Sequence, residues 1–205
     1  MRLMALQETS SGFHDGNASR TSPLTILKTI GDILFFPRLF RASPRLWFGE
    51  FLFHVSFSLV TLRHLRYVLN PVPACVTFLQ PLGSFAGYIL PLSILCVFIM
   101  KTGIERKKYV SRYNFFLLSL VFLISITGLL MRTLVRPDIP GIKDYMISVF
   151  TFAPVPLPWN SLFILHYLMA FVLLAFLPTH IFAAPFAVIE ARKRDESLGL
   201  LMHDK

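Results

Sequence analysis

The sequence has few cysteines and few acidic residues. Its two cysteines, Cys75 and Cys96, form no CxxC pair and no disulfide framework, so we interpret each as an inert free thiol. Eleven acidic residues against 20 basic ones leave a formal net charge of +9. The basic residues lie between apolar stretches and form no patch with aromatic platforms. We therefore expect no nucleic-acid partner, and we interpret the charge as anchoring at membrane headgroups.

Residues 1–22 lack the apolar core and the small-residue cleavage pattern of a signal peptide. Their polar composition predicts a mobile cytoplasmic arm. The CxxCH pattern that attaches haem covalently is also missing, and we find no internal repeat.

Long apolar stretches dominate the rest of the chain. Of its 205 residues 55% are hydrophobic, and the mean hydropathy of +0.63 is too high for a soluble domain of this size. A helix needs about 20 apolar residues to cross a bilayer. We predict an all-α integral membrane four-helix bundle over residues 46–190, followed by a cytoplasmic tail, 191–205. The predicted spans are 47–69, 83–100, 113–134 and 159–189. A Pro-rich connection is predicted between the third and the fourth, with Pro137, Pro140, Pro154, Pro156 and Pro158.

Residues 24–36 are apolar but too short to span. Leu24, Leu27, Ile30 and Leu34 fall on one helical stripe, and Pro37 ends the stretch. We predict an N-terminal amphipathic interfacial helix, which together with the arm makes up residues 1–45. The stripe is equally compatible with the membrane surface and with a docking surface for a partner subunit.

The distribution of basic residues predicts the orientation. With four spans, the N-terminal arm, the middle loop and the C-terminus share one side. From residue 27 to residue 194 that side carries twelve basic residues, against five on the other. The positive-inside rule then places both termini in the cytoplasm, in a multi-pass protein of the cytoplasmic (inner) membrane. The twelve are Lys28, Arg38, Arg41, Arg45, Lys101, Arg106, Lys107, Lys108, Arg112, Arg192, Lys193 and Arg194, and the five are Arg63, Arg66, Arg132, Arg136 and Lys143.

Four of the six histidines lie in predicted spans, where an ionisable group is costly and suggests function. His54 and His64 are about 15 Å apart along the first span, and His166 and His180 about 21 Å apart along the fourth. Because these spans run antiparallel, His54 is level with His180 near the cytoplasm, and His64 is level with His166 near the outside. The other two histidines, in the polar tails, are His14 and His203.

Two histidine pairs stacked across the membrane are typical of two bis-histidine b haems. Their irons would lie about 15–20 Å apart, most of the way across a hydrocarbon core of about 30 Å. Two alternatives stay open. The histidines could form only interhelical hydrogen bonds, or they could bind zinc, for which the inner level adds only Glu50 and Cys96.

Three arginines, Arg63, Arg66 and Arg132, lie near the outer histidines. They either extend to the headgroups or pair with haem propionates. Gly128 either admits a porphyrin edge or allows close helix packing. Pro178 either redirects His180 or forms a neutral kink.

At these residues the sequence resembles the membrane cytochrome b (gamma) subunit of respiratory nitrate reductase. That family includes the cytochromes b of sulfite-reductase-linked and heterodisulfide-reductase-like complexes. The H-x9-H spacing of the first span is the most specific element of the resemblance, which covers about residues 45–190. The matching stretches are FLFHVSFSLVTLRHLRYVLNP (51–71), FFLLSLVFLISITGLL (115–130), SVFTFAP (148–154) and FILHYLMAFVLLAFLP (163–178).

The resemblance implies two b haems, a quinol site near the outer haem and iron–sulfur partner subunits on the cytoplasmic side. By motif, it assigns His64 and His166 to the outer haem and His54 to the inner one. The sequence departs from the nitrate reductase branch where that family has its last ligand, because Ala184 stands there and the nearest histidine is His180, one turn earlier. No lysine lies in the first loop, where that branch has one near its quinone.

These observations predict a diheme cytochrome b that anchors a respiratory complex and transfers electrons between quinone or menaquinone and iron–sulfur subunits. Three outcomes are open for the inner haem: His180 binds it after a helix adjustment, another residue is its second ligand, or this haem is absent. We favour His180 because its depth matches that of His54. The alternatives are a membrane metal-handling or transport protein that uses the same histidines, and a structural anchor without haem.

Overall fold

The structure, a computed structural model, describes residues 23–103 and 111–203. The predicted arm 1–22 and the middle-loop residues Arg106, Lys107 and Lys108 lie outside these ranges. The described backbone forms helices and no strand. The α-helices are α1 (Pro23–Phe35), α2 (Pro37–Ala42), α3 (Pro44–His64), α4 (Ala74–Gly103), α5 (Arg112–Leu130), α6 (Ile139–Thr151) and α7 (Ser161–His203). A 3-10 turn, Leu65–Tyr67, extends α3, and a π-helical turn, Met131–Val135, extends α5.

Prolines and local caps determine where several helices begin. Pro37 and Pro44 lie in the first turns of α2 and α3, where the missing N–H costs nothing. Phe36, before Pro37, has a left-handed backbone with φ of 48° and separates α1 from α2. The side chain of Asn160 accepts a hydrogen bond from the N–H of Phe163 (3.0 Å) and caps α7.

Three helices are long and apolar enough to cross a bilayer, namely Ala74–Gly103, Arg112–Val135 and Ser161–Ile181. They coincide with three of the four predicted spans, so the chain is a multi-pass membrane protein. Helix α3, at the place of the first predicted span, has 21 residues and a length of about 31 Å. It is not among the three because Glu50, His54 and Arg63 lower its hydropathy.

The helix bounds differ from the predicted ones at several points. Helix α4 begins at Ala74 and contains both Pro81 and Pro91. Helix α7 runs through Pro178 to His203 without a break. Helix α6 lies in the segment predicted as a Pro-rich connection. Its start is defined by Asp138, whose carboxylate accepts from the N–H of Gly141 at 3.2 Å.

The helices pack in the order α3–α4–α5–α7. The buried core between them is mostly branched and aliphatic. Small residues bring α3 and α4 together, because a Cβ on Gly49 would lie 3.1 Å from Cγ2 of Val97. Helices α3 and α7 do not pack closely along the described chain, although they face each other at the histidines. The core consists of Leu46, Leu90, Ile94, Val97, Leu117, Leu118, Leu120, Val121 and Leu173.

Helix α1 contacts α7, and its carbonyl at Phe35 accepts a hydrogen bond from the indole of Trp47 (2.6 Å). The helix predicted at 24–36 is therefore present. Of its predicted apolar stripe, Leu27, Ile30 and Leu34 are exposed. Whether this surface meets lipid or a partner subunit stays a prediction.

Candidate functional site

The rings of His64 on α3 and His166 on α7 lie opposite each other at one end of the bundle. Their ring centroids are 6.3 Å apart and the ring planes are inclined by only 17°. The antiparallel spans therefore bring this predicted pair together. We call this end of the bundle the His64 end.

A hydrogen bond fixes each ring through Nδ1. Nδ1 of His64 lies 2.6 Å from the carbonyl oxygen of Val60, one turn earlier. Nδ1 of His166 lies 2.9 Å from Oγ1 of Thr127, a hydroxyl that itself donates to the carbonyls of Leu123 and Ile124 at 3.0 Å. A carbonyl can only accept, and the Thr127 proton is already engaged, so Nδ1 of both rings carries the hydrogen. Nε2 of each neutral ring then keeps its lone pair, as in a metal-ligating histidine.

The spacing of this pair fits a metal bound between two imidazoles. With metal–nitrogen bonds of about 2 Å and a ring centroid about 1.1 Å from each ring atom, opposed imidazoles have centroids about 6.2 Å apart. The observed 6.3 Å matches that value. Two histidines suffice for the axial positions of a haem. Zinc is held by four ligands in a closed site, and the described residues contain no group of three or more His, Cys, Asp or Glu side chains that could hold a metal.

Gly128 makes room for the ring of His166. A Cβ at this position would lie 3.2 Å from Cε1 of His166, so the glycine lets α5 and α7 approach at the ring. Of the two predicted roles, close packing matches what Gly128 touches. Sequence reasoning missed Thr127, although its place one residue before Gly128 puts its hydroxyl at the same level.

His54 lies in the middle of α3, about 15 Å along the helix from His64, in a different environment. Its Nδ1 is 2.7 Å from the carbonyl oxygen of Glu50, which repeats the hydrogen bond of His64. The rings of Phe36 and Phe53 lie 5.0 and 4.8 Å from its ring. His180 of α7 is within electrostatic range of His54, but the described residues show no ring contact between the two. The inner histidines thus lie in the same part of the bundle without the close ring approach of the outer pair.

An ion pair between Glu50 and Lys101 lies next to His54. Nζ of Lys101 on α4 lies 2.5 Å from a carboxylate oxygen of Glu50 on α3, and both side chains are mostly buried. The other carboxylate oxygen lies 3.9 Å from Nδ1 of His54. Glu50 is thereby engaged by a cation, which makes it a weaker candidate as a metal ligand.

Three arginines surround residues 80–88 of α4 at the His64 end. Arg66 donates to Oε1 of Gln80 (2.9 Å), and Arg132 to the carbonyl of Ser84 (3.1 Å). Their guanidinium groups lie over the rings of Tyr67 and Tyr88, at 5.0 and 5.1 Å. The third arginine, between them, is Arg63.

Fold and site together define the class: a multi-pass helical membrane protein with a histidine pair held between two antiparallel helices. The sequence is similar to two curated proteins named "Hdr-like menaquinol oxidoreductase cytochrome b-like subunit". The one from Archaeoglobus fulgidus is 30% identical over 149 residues, which cover 65% of this chain and 45% of the relative. The one from Archaeoglobus profundus is 29% identical over 150 residues, which cover 65% of this chain and 44% of the relative.

These matches confirm the resemblance to the heterodisulfide-reductase-like cytochromes b over the part that the chain shares with these proteins. It spans less than half the length of either relative. No protein-family model matches the chain, and no solved structure matches it.

Proposed function

We propose that this chain is a haem b-binding membrane subunit of a menaquinol-linked oxidoreductase complex, and that it passes electrons between the quinone pool and cytoplasmic iron–sulfur partner subunits. The observation that carries the proposal is the pair His64 and His166, whose rings lie at bis-imidazole spacing with both Nδ1 hydrogens engaged. The names of the two relatives support the menaquinol link.

His64 and His166 are the proposed axial ligands at the outer level. Haem b, when bound, supplies a one-electron carrier that needs no covalent attachment to the chain. Val60 and Thr127 orient the two rings and keep Nε2 of each available. His54 and His180 are proposed as the inner pair, supported by their place in the same part of the bundle and by the hydrogen bond of His54.

Helix α3 is proposed as the fourth span, because its length matches the hydrocarbon core and three of its polar side chains have partners. Glu50 pairs with Lys101, and His54 and His64 bond to their own helix. With four spans, the distribution of basic residues supports both termini in the cytoplasm and the protein in the cytoplasmic membrane. The proposed layout is an arm and interfacial helix, 1–45, a haem-binding domain, 46–190, and a tail, 191–205.

The test is a dithionite-reduced minus oxidised spectrum of the purified chain, with haem counted per polypeptide. We expect b-type bands and two haems per chain. A count of one haem per polypeptide would support His64 and His166 as ligands and contradict the inner pair, His54 and His180. Folded protein without haem would overturn the proposal, and metal analysis would then examine the metal-handling alternative.

Replacing Thr127 with valine is expected to weaken haem retention by about 10–100-fold and to shift the midpoint potential. Valine has nearly the same shape but cannot accept from Nδ1 of His166, so the ring loses its orienting partner. The measurements are haem loss to apomyoglobin and a redox titration. The matched control is Thr133→Val, because the hydroxyl of Thr133 bonds to the Leu129 carbonyl of its own helix. Equal behaviour of the two variants would remove Thr127 from the site.

A further inference from the structure

The three arginines at the His64 end form a cluster of like charge. Arg63, Arg66 and Arg132 all contact the same stretch of α4, at Gly83, Gln80 and Ser84 respectively, so their like charges lie close together. Within 23–103 and 111–203, the ion pairs formed by carboxylates do not include any of the three. Nε of Arg63 is buried without a hydrogen-bond partner. Three cations held together at the edge of a membrane protein, without a counter-charge among the described side chains, are stabilised by an external anion.

Helix α4 is shaped to hold this cluster. A Cβ on Gly83 would lie 2.8 Å from Cβ of Arg63 and 2.9 Å from the carbonyl oxygen of Leu59, so only glycine lets the arginine stem pass here. The rings of Tyr67 and Tyr88 support the other two guanidinium groups. Each guanidinium has five N–H donors. The described bonds of Arg66 and Arg132 use one donor each, which leaves several to bind an anion.

The cluster lies against α4. The stem of Arg63 lies against Gly83, and Arg66 bonds to Gln80, both on α4. The anion therefore approaches from the α4 side, where Phe85 and Leu92 are exposed large apolar residues. An exposed apolar helix surface next to bound cations is what a phospholipid contacts with its acyl chains and its phosphate.

We propose that Arg63, Arg66 and Arg132 bind the headgroup phosphate of an anionic phospholipid, whose acyl chains lie along α4. The site is separate from the proposed electron-transfer function, because it needs neither haem nor quinone. Arg66 and Arg132 supply free N–H donors, and Arg63 supplies charge at the base of the site.

The test uses the full-length protein in detergent, titrated with phosphatidylglycerol and followed by thermal unfolding and native mass spectrometry. We expect a rise in Tm and retained phosphatidylglycerol, and a much weaker effect of zwitterionic phosphatidylcholine. Arg66→Gln and Arg132→Gln should each weaken phosphatidylglycerol binding by about tenfold or more, because each removes charge-assisted hydrogen bonds. The control Arg136→Gln removes the same charge from an exposed position near Arg132 and should leave binding within about twofold.

Two further measurements separate the possible anions. Inorganic phosphate is titrated at matched ionic strength, and haem retention is measured in each variant. The proposal requires a weak effect of free phosphate and unchanged haem content in Arg66→Gln. An equal response to free phosphate would overturn the lipid assignment in favour of a free anion. Haem loss in Arg66→Gln and Arg132→Gln with no phosphatidylglycerol effect would overturn it in favour of haem propionates. If every variant bound phosphatidylglycerol and phosphatidylcholine equally, the proposed lipid site would be contradicted.

Discussion

Substituting His166 by alanine is expected to abolish haem binding at the outer level, with loss of its b-type absorbance. The ring of His166 is the partner of His64 at 6.3 Å, and no other described histidine lies in ring contact with His64. Alanine leaves a space beside Gly128 and no second nitrogen ligand. The measurement is the reduced-minus-oxidised spectrum, with haem counted per folded chain.

Two controls make the result specific. His54→Ala changes a histidine in the middle of α3 and should leave the outer haem in place. His166→Gly should regain absorbance on addition of free imidazole, because the ring alone is missing from the space between α5 and α7. Full haem content and an unchanged spectrum in His166→Ala would contradict the assignment of His166 as a ligand.

Substituting Gly83 by alanine is expected to destabilise the protein strongly by separating α3 from α4. The new Cβ would lie 2.9 Å from the backbone oxygen of Leu59 and 2.8 Å from Cβ of Arg63, and neither atom can move without moving α3. Overpacking of this kind costs about 1–3 kcal/mol, and here the backbone contact places it at the upper end. The measurement is Tm in detergent.

Gly87→Ala provides the matched control, one turn further along the same helix. A Cβ there meets nothing within 4 Å, so alanine should be neutral or stabilising by up to about 1 kcal/mol through its helix propensity. If both variants unfolded at the same temperature, the close approach of α3 and α4 at Gly83 would be contradicted.

The positions of the long apolar helices could be predicted, because they depend on the local composition of the sequence. Apolar runs of about 20 residues mark α4, α5 and the first half of α7, and these are the three helices able to span a bilayer. Helix α6 was missed because its prolines indicated a loop. Pro140 lies in the first turn of α6, where proline is compatible with a helix, and Asp138 caps it.

The His64–His166 pair could be predicted in part. The spacing of the histidines and the antiparallel order of the helices were sufficient to predict that the two rings lie at the same depth in the membrane. The sequence could not indicate that Thr127 holds His166, because that hydrogen bond joins residues 39 positions apart on different helices. The sequence also predicted that His54 and His180 lie at the same depth. In the described structure the two lie in the same part of the bundle, but their rings are not in contact.

The sequence by itself determined that the chain is helical and membrane-embedded, because hydrocarbon forces the backbone of any long apolar segment to bond within itself. It also determined which histidines share a level, since the rise per residue of a helix is constant. Only the tertiary structure decided which faces meet. Glycines at positions 49, 83 and 128 set how closely neighbouring helices approach. Those contacts turn His64 towards α7 and Arg63 and Arg66 towards α4, because rotation about a helix axis depends on packing against its neighbours.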